Sequence, residues 1–258
     1  MADSTKKRLG LALGGGGARG LAHVGVLQIL DEAGIKIHAI AGTSVGSLIG
    51  VALAANRSVL EITSVSRRIN WFHLARPAWP RRGFISFEPM ERFVINWLGD
   101  ITFANLKMPF VCVGTDVLTG AVTVFDQGRI APRIRASSSV PPFVQPVEID
   151  GAMYVDGGFV DNLPIEPVQQ LGADLVLAVN LFGPPSHVPT GYVAYSHAVI
   201  GHALVKAGDD PASADVLVQP DLTDYSMIRF KRDALIALGR GAMEAKLPEL
   251  QALLGEGS

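Results

Sequence analysis

Three places in this 258-residue sequence combine residue type and spacing in a way that could do chemistry: a serine between glycines, a run of glycines, and an aspartate followed by two more. The serine lies in Gly42-Thr43-Ser44-Val45-Gly46, between an apolar run and a helical pattern. On a sharp strand-to-helix turn a serine hydroxyl is thrust out at the sheet edge, and small neighbours let the backbone take the strain. The helix that follows points its positive end at the same spot. A nucleophile needs that setting. The glycine run, Gly15-Gly16-Gly17-Ala18-Arg19-Gly20, also sits between a strand pattern and a helix pattern. Backbone N–H groups converging there suit a dinucleotide pyrophosphate, an oxyanion or a plain tight turn equally well. With 28 glycines in the chain, chance alone makes such patterns common, and the flanking strand and periodic helix are what lift Ser44 above it.

The two loops together argue against a dinucleotide site. Such a site wants an acid at the end of the second strand to hold the ribose. Here Asp31 and Glu32 end the intervening helix, and the second strand runs into Gly42-Thr43-Ser44. The glycine loop is therefore read as the oxyanion hole of a serine enzyme. Ser44 then needs a base within hydrogen-bond reach. His197 and His202 fall in a helical pattern, and His23 sits one turn into the first helix as a minor candidate. Asp156, at a strand end before Gly157 and Gly158, is the stronger one. An ordinary aspartate titrates near about 3.9, so Asp156 is expected to be ionised and weakly basic. Most of the rate would then come from positioning and oxyanion stabilisation, which suits activated acyl esters better than amides.

The elements that must position these residues are legible as patterns. Leu9, Leu11 and Leu13 alternate with small residues, which predicts a short buried strand. Leu21, Val24, Leu27 and Leu30 recur at helical spacing up to Gly34. A second strand is predicted over 35–41, and Val45, Leu48, Ile49, Ala52 and Leu53 then share one helical face. Further helices are predicted over 59–69, 88–98 and 130–138, with a strand pair over 110–117 and 121–125 around Thr119-Gly120. Strand structure is predicted over 144–155 with a turn at Asp150-Gly151, and a late strand over 173–180. Two more helices flank 215–219. Strands alternating with helices predict a mostly parallel α/β sheet covered on both faces.

Composition narrows the function classes. The hydrophobic set is 48% and charged residues 18%, with mean hydropathy +0.31, so the chain is greasy and must line an apolar pocket or face a partner or membrane. A net charge of −2 supplies no basic field for nucleic acid, which is not expected as a partner. Six histidines and the single Cys112 offer no zinc-type spacing and no disulfide framework; Cys112 is read as a buried, inert thiol in a reducing compartment. The apolar run after Lys6-Lys7-Arg8 is too short for a signal peptide, and the stretch 39–55 too short and too polar for a spanning helix. Residues 70–98 hold Trp71, Trp79 and Trp97 with four phenylalanines and Arg76, Arg81 and Arg82. That mixture fits a cover over the site in peripheral contact with a membrane, and equally an aromatic edge of the core.

Taken together the three motifs resemble the patatin-like phospholipase family, in that family's chain order and across most of residues 8–180. Supporting matches are Gly114-Thr115-Asp116-Val117-Leu118-Thr119-Gly120, Arg135-Ala136-Ser137 before Pro141, and Asp161-Asn162-Leu163-Pro164. The resemblance implies a three-layer α/β/α sandwich, a dyad of Ser44 and Asp156, and an oxyanion hole from the amides of Gly15, Gly16 and Gly17. It implies no metal or other cofactor, and lipid acyl esters as substrate. Arg19, Gly20, Gly42, Gly46, Gly157 and Gly158 complete the motifs, Gly158 standing where many relatives carry alanine. Arg19 is expected to hold the loop through a salt bridge, with a lipid phosphate as its other prospective partner; Asp116 and Asp161 are expected in turns or networks. Residues 8–180 are read as the catalytic core and 181–258 as the C-terminal part of the same domain, in a cytoplasmic protein that touches the inner membrane surface. Two rivals remain: a noncatalytic regulatory or acyl-binding domain, and an acyltransferase or thioesterase.

Overall fold

The computed structural model describes residues 7–79, 82–183, 202–204 and 206–255, with positions 188, 195 and 199. In chain order the strands are β1 (Leu9–Leu13), β2 (Ile37–Thr43), β3 (Arg76–Pro77), β4 (Ile85–Ser86), β5 (Phe110–Asp116), β6 (Val122–Phe125), β7 (Val147–Ile149), β8 (Ala152–Asp156), β9 (Leu175–Val179) and β10 (Val216–Val218). The helices are α1 (Leu21–Glu32), α2 (Val45–Ala54), α3 (Val59–Arg68), α4 (Trp71–Leu74), α5 (Glu88–Leu98), α6 (Ile130–Ser137), α7 (Ile165–Gln170) and α8 (Arg232–Leu254). β3 and β4 pair with each other. The other strands form one sheet in the order β10-β9-β1-β2-β5-β8-β7, with β6 also on β5. Pairing is parallel from β10 to β5 and antiparallel where β6, β7 and β8 join.

The two faces of the sheet are unequal because the strands alternate large and small residues. Leu9, Leu11 and Leu13 join Ile40, Leu175 and Leu177 in the large core under α1, α2, α3 and α8. The intervening Ala12, Ala39, Ala41 and Ala178 meet Ile165 and Val168 of α7 in a thinner core. A methyl group on Gly10 would stand 2.5 Å from the Ala173 side chain and 2.9 Å from Val168, so the missing side chain is what brings this layer close. Burial on both faces is what parallel strands require.

Strands and helices fall where the patterns predict them, with ends shifted by a residue or two. The short elements α4, α7 and the β3–β4 pair had no pattern to announce them, since a turn or two of helix is too short for its period to register. Of the two late helices, α8 follows 215–219; of the other, positions 195, 199 and 202–204 are described, and these are helical. Burial pushes the Cys112 thiol far above its ordinary range, as an inert core cysteine should be.

Candidate active site

Strand register brings the motifs to one level of the sheet. Thr43 at the end of β2 pairs with Val113 of β5, and the next β5 residue, Gly114, pairs with Asp156 of β8. Ser44 and Asp156 are therefore level across a single intervening strand that carries a glycine there. The glycine loop leaves β1 at the same edge, where Leu13 pairs with Gly42. The carboxyl ends of parallel strands are where open α/β sheets bind ligands.

Ser44 is buried and holds φ 53, ψ −122, a strained conformation for a residue with a side chain. The turn around it is locked. Its N–H donates to Ser137 Oγ at 2.9 Å, and its carbonyl accepts Ser47 Oγ–H at 2.6 Å. Close approaches explain the flanking glycines: a methyl on Gly46 would strike the Leu13 carbonyl, one on Gly20 would strike Val45, and one on Gly42 would stand 2.6 Å from the Ser47 nitrogen.

In the glycine loop the hydrogen bonds sort the three glycines. Gly14 N–H donates to Val179 O at 3.1 Å, Gly15 N–H to Asn162 O at 3.2 Å, and Ala18 N–H to Met227 O at 2.7 Å. Among the described residues the amides of Gly16 and Gly17 are left without an acceptor. Gly15 braces the loop beside the serine: a methyl there would stand 3.2 Å from Ser44 Cβ. His23 is fully buried with Nε2 on Gly14 O at 2.8 Å. A carbonyl only accepts, so Nε2 carries the proton, and burial pushes the ring down to about 4 and keeps it neutral. It holds the loop through the Gly14 carbonyl. Arg19 corrects the expected salt bridge. Among the described residues no carboxylate meets it; its Nε donates to Tyr225 O at 2.8 Å, its Nη1 to Leu181 O at 3.4 Å, and its guanidinium lies 5.3 Å from the Phe182 ring. Burial without a counter-ion lowers it to about 10, so it is charged at neutral pH.

Asp156 is held from three sides. Its N–H donates to Ser139 O at 3.0 Å, its carbonyl accepts Thr115 Oγ1–H at 2.8 Å, and its Oδ1 accepts Gly158 N–H at 2.8 Å. Its Oδ2 is buried without a hydrogen-bond partner. Burial lifts the carboxyl to about 6, opposed by the Gly158 amide and by the nearby Ser44 hydroxyl, which favours the ionised form without closing a hydrogen bond of ordinary geometry. The carboxyl thus holds its proton more tightly than the ordinary aspartate expected from sequence. Gly157 packs against the Val113 carbonyl where a methyl has no room. On Gly158 a methyl would stand 3.0 Å from Asp156 Oδ1, so this glycine leaves the carboxylate uncrowded.

Asp116 is a turn residue, accepting Leu118 and Thr119 N–H at 2.9 and 2.8 Å. Asp161 is buried, lifted to about 7 by desolvation first and then by Asp209 and Glu166, and its carbonyl accepts Thr43 Oγ1–H at 2.9 Å. Ser137 and Asn162 were visible in sequence only inside supporting motifs, with no role. The structure sets the first on the Ser44 amide and the second on the Gly15 amide.

Residues 70–98 divide. Trp71 donates to Ile228 O at 2.7 Å and packs on Phe230, Trp97 lies against Phe93, and Leu74, Phe87 and Met90 form a small core with Val144. Trp79 is 78% exposed and Phe84 63%, beside Phe143 at 59%. These three belong together: Phe84 N–H donates to Phe143 O at 2.9 Å, and Gln145 Nε2 donates to Trp79 O at 3.2 Å. Arg76 pairs with Glu88, Arg82 donates to Met153 Sδ at 3.6 Å, and Arg81 lies outside the described residues. An ion pair of Arg135 with Glu91 at 3.1 Å ties α5 to α6, the helix that carries Ser137. No helix of the described residues is long and apolar enough to cross a membrane.

The family model for patatin-like phospholipases matches residues 11–168, and the chain belongs to that family. An uncharacterised NTE family protein of Mycobacterium tuberculosis is 37% identical over 183 residues, which are 70% of this chain and 51% of that protein. The lysophospholipase NTE1 of Coccidioides immitis is 32% identical over 192 residues, 72% of this chain and 12% of the fungal protein. The chain thus spans about half the length of the mycobacterial relative and a small part of the fungal one. Among solved structures, VipD from Legionella pneumophila shares the fold with a TM-score of 0.64 at 14% identity, over 94% of this chain and 67% of that one. The type III effector ExoU of Pseudomonas aeruginosa does so with a TM-score of 0.57 at 17% identity, over 95% of this chain and 53% of that one.

Proposed function

We propose that this chain hydrolyses acyl esters of lipids, of the phospholipid or lysophospholipid type, with Ser44 as nucleophile and Asp156 as base. The observation that carries the reading is the pairing of a strained Ser44 with a level, buried Asp156 whose Oδ2 has no protein partner. Family membership and relatives named as lysophospholipases support the substrate class. Ser44 Oγ attacks the ester carbonyl and its proton passes to Asp156. The free amides of Gly16 and Gly17 hold the oxyanion of the tetrahedral intermediate, with Gly15 bracing the loop. The alcohol leaves with the proton; Asp156 then takes a proton from water, hydroxide attack on the acyl-serine releases the fatty acid, and Asp156 returns the proton to Ser44 Oγ. Lipid contact falls to Trp79, Phe84 and Phe143 with Arg82 alongside, aromatic rings and an arginine suited to the headgroup boundary at an inner membrane surface.

A fluorophosphonate probe tests the nucleophile, together with product analysis on phospholipids, lysophospholipids and acylglycerols. The wild-type protein is expected to be labelled at Ser44 and to release free fatty acid. Ser44→Ala is expected to escape labelling and lose at least about a thousandfold in turnover while staying folded. An unlabelled, folded wild-type protein would mark a binding domain. Acyl esters of an added alcohol in place of free acid would mark a transferase.

A further inference from the structure

Asn162 is a buried polar side chain that the reaction as written leaves unused. It is 2% exposed, and its Nδ2 has no hydrogen-bond partner, just as Oδ2 of Asp156 has none. One of these groups is a donor and the other an acceptor, and Gly158 stands between their side chains. A methyl on that glycine would be 2.9 Å from Asn162 Oδ1 and 3.0 Å from Asp156 Oδ1. The same carboxamide abuts the glycine loop, since a methyl on Gly15 would be 2.7 Å from its Oδ1. The main chain of Asn162 is already committed: its carbonyl accepts Gly15 N–H and its N–H donates to Ala207 O, each at 3.2 Å. One side chain therefore touches both loops that the reaction uses, with its donor end unspent. Burying a donor without a partner destabilises a fold, and a residue kept only for packing here would be apolar.

We propose that Asn162 is a positioning residue for the base, whose Nδ2–H takes up the Asp156 carboxylate once Ser44 is acylated. The proposal rests on the Ser44–Asp156 reading. Before attack Ser44 and Asp156 lie level across β5, and the Ser44 hydroxyl favours the ionised carboxylate. When Ser44 Oγ becomes the ester oxygen of the acyl-enzyme, that hydroxyl is gone and its proton has departed with the alcohol. Asp156 is then a buried carboxylate with the Gly158 amide on Oδ1 and nothing on Oδ2. A turn of the Asn162 carboxamide toward Gly158 supplies the missing donor and keeps the carboxylate aimed at the water it must deprotonate. Among the described residues no charged side chain competes for this role. Burial, the Gly158 amide and the Ser44 hydroxyl govern Asp156, while Asp161 in the same loop faces Asp209 and Glu166.

The test follows the release of nitrophenol from a nitrophenyl ester by rapid mixing, with Asn162→Leu beside the wild-type protein and urea unfolding of both. Loss of the donor is expected to slow deacylation at least about tenfold while the acylation burst stays within about threefold. The acid limb of deacylation should move up by about one pH unit, and the unfolding midpoint should not fall. A side chain that only bolts the loops together would lower the midpoint and slow both phases alike. Asn162→Ala, which merely deletes atoms, is read in the same way if the leucine variant does not fold. Unchanged deacylation in a folded variant, equal slowing of both phases, or loss of the fold in both variants overturns the proposal. Ser44→Ala and Asp156→Asn are run alongside: if these stay active the underlying reading fails, and if they are dead while Asn162→Leu is normal only the role of Asn162 falls.

Discussion

The turn that carries Ser44 and the loop that carries Asp156 meet at one sheet edge and are made by different physics. The Ser44 turn takes its shape mainly from its own neighbours, with Ser137 on its amide and Leu13 against Gly46 as the distant contacts. Gly42 and Gly46 admit the close approach, Ser47 clamps the Ser44 carbonyl, and α2 starts at once, so the strained φ of 53 is imposed locally. Asp156 has an unremarkable backbone and owes its character to distant residues. Ser139 and Thr115 hold its main chain, and the surrounding core lifts its carboxyl to about 6. One region carries backbone strain, the other a buried acid with an unmet acceptor. Strain can be written into five consecutive residues, whereas desolvation needs the whole fold.

The largest effect that would sharpen this contrast is expected for Asp156→Asn, which keeps the shape and removes the base. Turnover should fall at least about a thousandfold, with slower but surviving probe reaction at Ser44. Stability should move the other way. The folded carboxyl, at about 6, binds its proton more tightly than the unfolded one at 3.8. Its contribution is therefore fully present below 3.8 and is lost as pH rises through about 6, the same interval in which wild-type activity should appear. Asp161, lifted to about 7, adds a loss of the same sign in both proteins. Urea midpoints measured from pH 4 to pH 8 should thus fall less steeply for Asp156→Asn than for the wild type. Parallel curves would break the claim that burial makes this base.

A smaller effect is expected on the locally built side. Gly16→Ala sets a methyl 2.9 Å from Leu181 Cδ1 and turns an unpaired amide away from the reacting carbonyl. Turnover should drop roughly a hundredfold, as for the loss of one oxyanion donor, and the unfolding midpoint should fall as well, because φ 156 strains any residue with a side chain. Full activity in this variant would remove the Gly16 amide from the mechanism.

The smallest effect on the chemistry is expected from the exposed aromatic face, which touches neither region. Trp79→Ala combined with Arg82→Glu should leave a short soluble ester hydrolysed within about twofold of wild type, and cut hydrolysis of anionic vesicles about tenfold. Equal losses on both substrates, or none on either, would show that Trp79 and Arg82 serve only the local packing around Phe143 and Met153.

Much of the site was legible because its chemistry is written in contiguous residues. The glycine loop and the Ser44 turn announce backbone geometries that other residues avoid, Asp156-Gly157-Gly158 announces a close approach of the main chain, and alternating or helical periods flank all three. Three-dimensional contacts alone decided the rest. The pairing of Thr43 with Val113 and of Gly114 with Asp156 makes the serine and the acid level, a matter of register between strands far apart in sequence. Among the described residues, hydrogen bonds from distant segments occupied the Gly15 amide, left those of Gly16 and Gly17 free and gave Arg19 carbonyls in place of a carboxylate, while His23 spent Nε2 on the Gly14 carbonyl. Trp71, Trp79 and Trp97 are alike in sequence, yet two of them found partners in Phe230 and Phe93 while Trp79 stayed exposed. A sequence fixes which local conformations are cheap; burial, proton affinity and free donors depend on which neighbours the fold brings within a few ångströms.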